Sequence, residues 1–160
     1  MAKSTNLDLD AIDRRILEVL QRDGRIPIVD LADRVGLSPT PCQRRVRRLE
    51  ADGVIQRYAA VVDPGRVGQV LQAFVEVTLS DHAEETVTAF RRAITERSDV
   101  IACYAVSGER DFMLHVVATD FESYSRFALE ALLRMPGVRN TQSQFVISVL
   151  KPPGNIPIED

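Results

Sequence analysis

Arg44, Arg45, Arg47 and Arg48 fall within five consecutive positions, interrupted only by Val46. A guanidinium can take guanine O6 and N7 in bidentate fashion or neutralise a phosphate, and the amide of Gln43 can pair with adenine. This is chemistry suited to a helix lying in the major groove of DNA. On a wheel advancing about 100° per residue, Val46 and Leu49 land within about 40° of Cys42 and make a buried stripe. Thr40, Arg44, Arg47 and Ala51 gather on the opposite side, with Gln43 and Arg48 at the flanks. Arg45 lies nearer the buried side and suits an ion pair within the fold. Ser38 stands at the expected N-cap, where free amides and the helix dipole favour a phosphate. The candidate DNA-binding set is therefore Ser38, Thr40, Gln43, Arg44, Arg47 and Arg48. The plain alternative is a solvated basic face. The elements that come before this helix favour the groove.

Those elements read as a helix-turn-helix. Ile12, Ile16, Leu17 and Leu20 recur at helical spacing over 10–22, with Asp8 or Asp10 as cap and Gly24 as stop. A short helix over 28–35 shows Val29, Leu31, Ala32 and Val35 as its apolar side and ends at Gly36. Pro39 suits the first position of the third helix, which runs to about Asp52. Val54–Val62 is β-rich and predicts a hairpin wing or an outgoing strand.

Asp63-Pro64-Gly65 is a strong turn and opens a hinge over 63–69, which separates a DNA-binding domain of 1–62 from a second domain of 70–151. That domain reads as strand 70–79, helix 83–97, strand 100–106, strand 111–119, helix 121–134 and strand 138–150. Its first helix should turn Val87, Phe90, Ala93 and Ile94 inward, and Asp81 and Glu84 have capping-box spacing. The order βαββαβ is ferredoxin-like, so the fold class is α+β. Residues 152–160 make an extended tail.

Charge agrees with this division. The net charge of -3 hides 11 basic and 9 acidic residues over 1–62, against 9 and 14 over 63–160. Cys42 and Cys103 match no metal spacing and sit among apolar neighbours. Both are expected to be buried, reduced thiols, as fits a cytoplasmic protein. No apolar run approaches the ~20 residues that span a membrane, and the N-terminus lacks the apolar core of a signal peptide. His82, at a helix entrance, is expected to be exposed. His115 alternates with Met113 and Val117 and is expected to be a sheet or interface residue. No nucleophile–base arrangement emerges, and no cofactor or metal is expected.

The stretch Leu31-Ala32-x-x-Val35-Gly36-Leu37-Ser38-Pro39-Thr40-Pro41-Cys42-x-Arg44-Arg45-Val46-x-Arg48-Leu49-Glu50-x-x-Gly53-Val54-Ile55 resembles the helix-turn-helix of the leucine-responsive regulator/AsnC (feast/famine) family. Asp10-x-x-Asp13-Arg14-Arg15-Ile16-Leu17, Asp23-Gly24-Arg25, Ala73-Phe74-Val75, Ser107-Gly108-x-x-Asp111 and Pro136-Gly137-Val138 extend the likeness over about 8–151. The resemblance implies a winged helix-turn-helix joined to a βαββαβ effector and oligomerisation domain. It also implies a transcriptional regulator that binds double-stranded DNA and responds to an amino acid. Homodimers that assemble further, often into octamers, follow from it as well. Two-fold pairing suits half-sites one helical turn or its multiples apart.

By the same resemblance, the effector site falls on the turn from Gly108 to Asp111 and the start of the last strand. Gly108 would admit a ligand close to the backbone, and Asp111 would receive an ammonium group directly or through ordered donors. Thr141 and Ser143 would offer hydroxyls from one strand face, with Tyr104 and Met113 as pocket wall. A plain β-turn in which Asp111 caps local N–H groups is the alternative. Arg110, where many members carry an aromatic or smaller residue, would favour an anionic or polar ligand or pair with Glu109. Two other classes stay open. One is a siroheme-decarboxylase-like enzyme, which would need histidines at a tetrapyrrole pocket. The other is an amino-acid-binding assembly module that reads no DNA.

Overall fold

A computed structural model describes residues 8–158. These divide into two compact units, one of residues 8–61 with 151–158 and one of Val62–Leu150.

The first unit holds α1 (Ala11–Arg22), α2 (Ile28–Val35) and α3 (Pro39–Ala51). Asp10 caps α1: its Oδ1 accepts the Asp13 N–H at 2.8 Å, and Asp13 Oδ2 accepts the Asp10 N–H at 3.3 Å. This reciprocal box satisfies one otherwise orphan helical donor and fixes the entry of the chain. α1 ends one residue before its C-cap, Asp23, with Gly24 following. Gly36, at φ 74°, turns the chain out of α2 at an angle that a side chain would resist. Val29 is exposed, contrary to expectation. The wheel explains this: Val29 lies about 120° from Val35, whereas Ile28 falls between Val35 and Ala32 and packs on the core. Ile16, Leu17, Leu31, Ala32, Val35, Cys42 and Leu49 form that core. Burial there raises the Cys42 thiol above its ordinary pKa. Val54–Val62 forms no strand. Among the described residues no strand pairs with its backbone, and a lone strand leaves its ladder donors open.

Residues 151–158 return to this unit. The Gln21 amide donates to Ile156 O at 3.0 Å and accepts the Ile156 N–H at 2.7 Å. Ile158 packs against the three-helix core. Deleting residues 155–160 is expected to destabilise the first unit by about 1–3 kcal/mol, from lost apolar burial and two lost hydrogen bonds. Thermal melting of the full chain and the deletion reads it; equal midpoints would show that the segment contributes nothing.

The second unit is one antiparallel sheet with helices on one face. Its elements are β1 (Leu71–Leu79), α4 (Glu84–Thr95), β2 (Val100–Ala105), β3 (Phe112–Ala118), α5 (Phe121–Arg126) and β4 (Val138–Phe145). The strand order β2-β3-β1-β4 is the ferredoxin-like one, as the element order predicts. Period-two alternation turns Ala73, Val75, Val77 and Leu79 of β1 and Phe112, Leu114, Val116 and Ala118 of β3 into the core. Phe90 and Ile94 of α4 cover them, with the Phe90 and Phe112 rings 4.7 Å apart. Asp81 does not form the expected box with Glu84. It accepts the Ala83 N–H at 3.0 Å, and Ala83 stands as the cap of α4.

The expected helix over 121–134 is broken into α5, a wider π turn (Phe127–Ala131) and a tighter turn (Leu132–Arg134). A regular helix would carry Leu132 about 140° from Phe127, off the buried side; the wider turn returns it to the core. Cys103 is exposed, not buried as expected, because β2 is an edge strand. β4 also ends at Phe145, short of the expected Leu150.

Candidate nucleic-acid interface and effector region

α3 sorts its four arginines into two pairs. Arg45 Nη1 reaches Asp10 Oδ2 at 2.6 Å and Asp13 Oδ1 at 2.9 Å. Arg48 Nη2 donates to Asp13 Oδ2. Asp13 is buried, and these guanidiniums supply the partners that a buried carboxylate requires. The Asp13 N–H and Arg45 hold the Asp10 carboxyl below its usual pKa. Arg44 and Arg47 project from the other side, exposed, and among the described residues neither enters an ion pair. Thr40 and Gln43 share that exposed surface, while Cys42 and Leu49 are buried beneath it. Ser38 occupies the N-cap, but its hydroxyl makes no capping bond. Arg48 is therefore not disposed like Arg44 and Arg47, although the wheel puts it on the flank of the same surface. Its side chain is 48% exposed, with its charge committed to Asp13.

The six effector candidates are brought to one sheet but not to one face. β1 places Val77 opposite both Phe112 and Thr141, so the 107–111 turn and the start of β4 flank the same end of β1. Val75 opposes Ser143, which puts Thr141 and Ser143 on the helix-covered face. There the Tyr124 hydroxyl bonds Ser143 Oγ, within an aromatic group that includes Phe145 at 4.9 Å. Tyr104 pairs with Met113 on the opposite, open face. Gly108 adopts φ 119°, outside the range that side chains favour.

Asp111 uses both carboxylate oxygens within the chain. Oδ2 accepts the Leu79 N–H at 2.7 Å, and Oδ1 lies 2.6 Å from His82 Nε2. These contacts, the backbone one foremost, lower its pKa. Arg110 pairs with Glu76 at 3.1 Å and donates to Gln142 at 3.1 Å, not to Glu109. His82 is exposed as expected. His115 sits half-buried, 3.1 Å from Gln72 and stacked on Phe74 at 4.7 Å; burial lowers its pKa. Asp13, His82 and Tyr124 were not among the sequence-derived site residues. Of these, only Asp13 had a legible signal, its capping-box spacing from Asp10. No group of three or more His, Cys, Asp or Glu among the described residues could hold a metal ion.

A three-helix unit with two exposed arginines on its third helix, linked to a βαββαβ sheet domain, is the arrangement of DNA-binding regulators with a separate sensing domain. Family models agree: a winged helix-turn-helix DNA-binding model matches residues 9–56, and the Lrp/AsnC ligand binding domain matches 72–156. The chain is 42% identical to the leucine-responsive regulatory protein of Escherichia coli (strain K12) over 157 residues, covering 98% of this chain and 96% of that protein. It also resembles the crystal structure of a Neisseria meningitidis transcriptional regulator in complex with L-Met, with TM-score 0.88, 39% identity, and 93% and 96% of the two chains covered. An AsnC family regulator from Agrobacterium tumefaciens aligns with TM-score 0.86 and 35% identity over 92% and 96%. The chain belongs to the Lrp/AsnC family of DNA-binding transcriptional regulators. No helix among the described residues is long and apolar enough to cross a membrane.

Proposed function

We propose that this regulator reads DNA sequence through Thr40, Gln43, Arg44 and Arg47, works as a homodimer assembling further into octamers, and responds to an amino acid. The observation that carries the reading is the division of the arginines, two spent on carboxylates and two left exposed on the groove-facing side. Arg44 and Arg47 are exposed and enter no ion pair among the described residues, so their charge is available to phosphates and base edges. Self-association is supported by the open sheet face, where Phe74 and Tyr104 are exposed beside Met113 and His115. The amino-acid effector is supported by the L-Met complex of the Neisseria relative. Its site lies at the end of β1, between the 107–111 turn and Thr141, with Asp111 holding the turn in shape. No observation favours the enzyme reading: His82 is exposed beside Asp111, and His115 lies on the sheet face stacked against Phe74.

A thermal-shift screen of the twenty amino acids, followed by DNA selection with and without any hit, tests this. At 100 times its Kd an effector should add about 2.7 kcal/mol of stability. Silence from all twenty would overturn the effector assignment. Failure to enrich any DNA sequence would overturn sequence reading.

A further inference from the structure

Asp13, 1% exposed, is the buried charged residue among the described residues of the first unit, and its partners place it where α1 meets α3. Its two oxygens take Arg45 and Arg48, three residues apart on α3, while Asp10 takes Arg45 from the rim. Two carboxylates and two guanidiniums thus close a neutral cluster across the helix–helix contact. A buried ion pair is weak evidence for stability, because desolvation offsets its attraction. Its geometry is what it supplies. With two anchor points on one side of α3, the helix cannot roll without stripping a partner from a buried carboxylate. Rolling α3 would also exchange which arginines face outward.

We propose that Asp13 is a positioning residue for DNA reading: it locks the rotation of α3 so that Thr40, Gln43, Arg44 and Arg47 face the groove, and it withholds the charge of Arg48 from the DNA backbone. This rests on the reading of α3 as the DNA-contacting helix. Two of the four clustered arginines then contribute to counterion release. Withholding Arg48 lowers affinity for arbitrary DNA and leaves sequence discrimination to side chains held in one orientation.

The salt dependence of binding separates this from a merely structural role. Each phosphate neutralised adds about 0.9 to the slope of log affinity against log salt. The full chain is titrated with a mixed-sequence duplex and with a duplex enriched by selection on the wild type. Arg48→Gln leaves Asp13 paired with Arg45 and is expected to keep the wild-type slope. Asp13→Asn is expected to steepen the slope by about 0.9 per protomer, raise affinity for mixed-sequence DNA and shrink the preference for the enriched duplex. Adding Arg48→Gln to Asp13→Asn should restore the slope. A shallower slope in Arg48→Gln alone would overturn the proposal and decides the matter even if Asp13→Asn does not fold. A folded Asp13→Asn with wild-type slope and discrimination would overturn it equally. If Arg44→Gln and Arg47→Gln leave affinity untouched, the DNA-reading helix itself is wrong; if they weaken binding while Arg48→Gln also lowers the slope, only the role of Asp13 fails.

Discussion

The Arg44→Ala/Arg47→Ala double variant is expected to bind its selected DNA about 100-fold more weakly or worse, with an unchanged oligomeric mass. Each side chain can supply a base or phosphate contact worth about 1–3 kcal/mol; two at about 1.4 kcal/mol each already multiply to this range, and stronger contacts go beyond it. Neither arginine pairs with another described side chain, and surface changes of this kind usually shift stability by about 0.5 kcal/mol or less. Binding and folding should therefore separate cleanly. Fluorescence anisotropy with the enriched duplex, beside light scattering, measures both. Unchanged affinity in the double variant would remove the outward face of α3 from the interface. Arg45→Ala gives the contrast: it strips Asp10 and half of Asp13, so its first effect is on stability.

Asp111→Ala is expected to abolish the effector response while DNA binding persists, and to lower the stability of the second unit by about 1–3 kcal/mol. The Leu79 N–H loses a charged acceptor in a partly buried place, and unmade bonds there cost on that order. The pH dependence follows in sign. The folded pKa of Asp111 lies below its unfolded value, so its contribution is fully present above the unfolded pKa, about 3.9. It is lost as pH falls through the folded pKa, and wild type and variant should converge in stability in acid. The His82 part is discounted, since that ring is largely exposed. Asp111→Asn separates holding from binding. An amide oxygen still accepts from Leu79 without carrying charge, so a retained response means that Asp111 shapes the turn. Calorimetry with the amino acid found in the screen reads the outcome; normal binding by Asp111→Ala would sink the site.

The helix-turn-helix was legible because its signals are local. Gly36, Pro39 and the Cys42–Val46–Leu49 stripe define two helices and the turn between them within some 25 residues, and the structure keeps each of these features. Val29 departs from the apolar side of its own helical wheel, which is a local matter, whereas Cys103 and the residues over 121–134 owe their exposure or burial to which neighbour arrives. Cys103 lies on an edge strand, and Leu132 reaches the core only through a wider turn.

Taken alone, the residues determined the three helices of the first unit, the βαββαβ order of the second, and which side of α3 is apolar. Those properties follow from periodicity and caps that act over one or two turns of chain. Tertiary structure decided how the polar residues are spent. A wheel gives the direction of Arg48 but not the carboxylate 35 residues earlier that captures it. Alternation makes Thr141 and Ser143 share a face. Only the register against Val77 and Val75 decides that this is the helix-covered face, with Tyr104 and Met113 on the other. Pairing across the fold is set by packing and strand register, and neither is written in the spacing of any single segment.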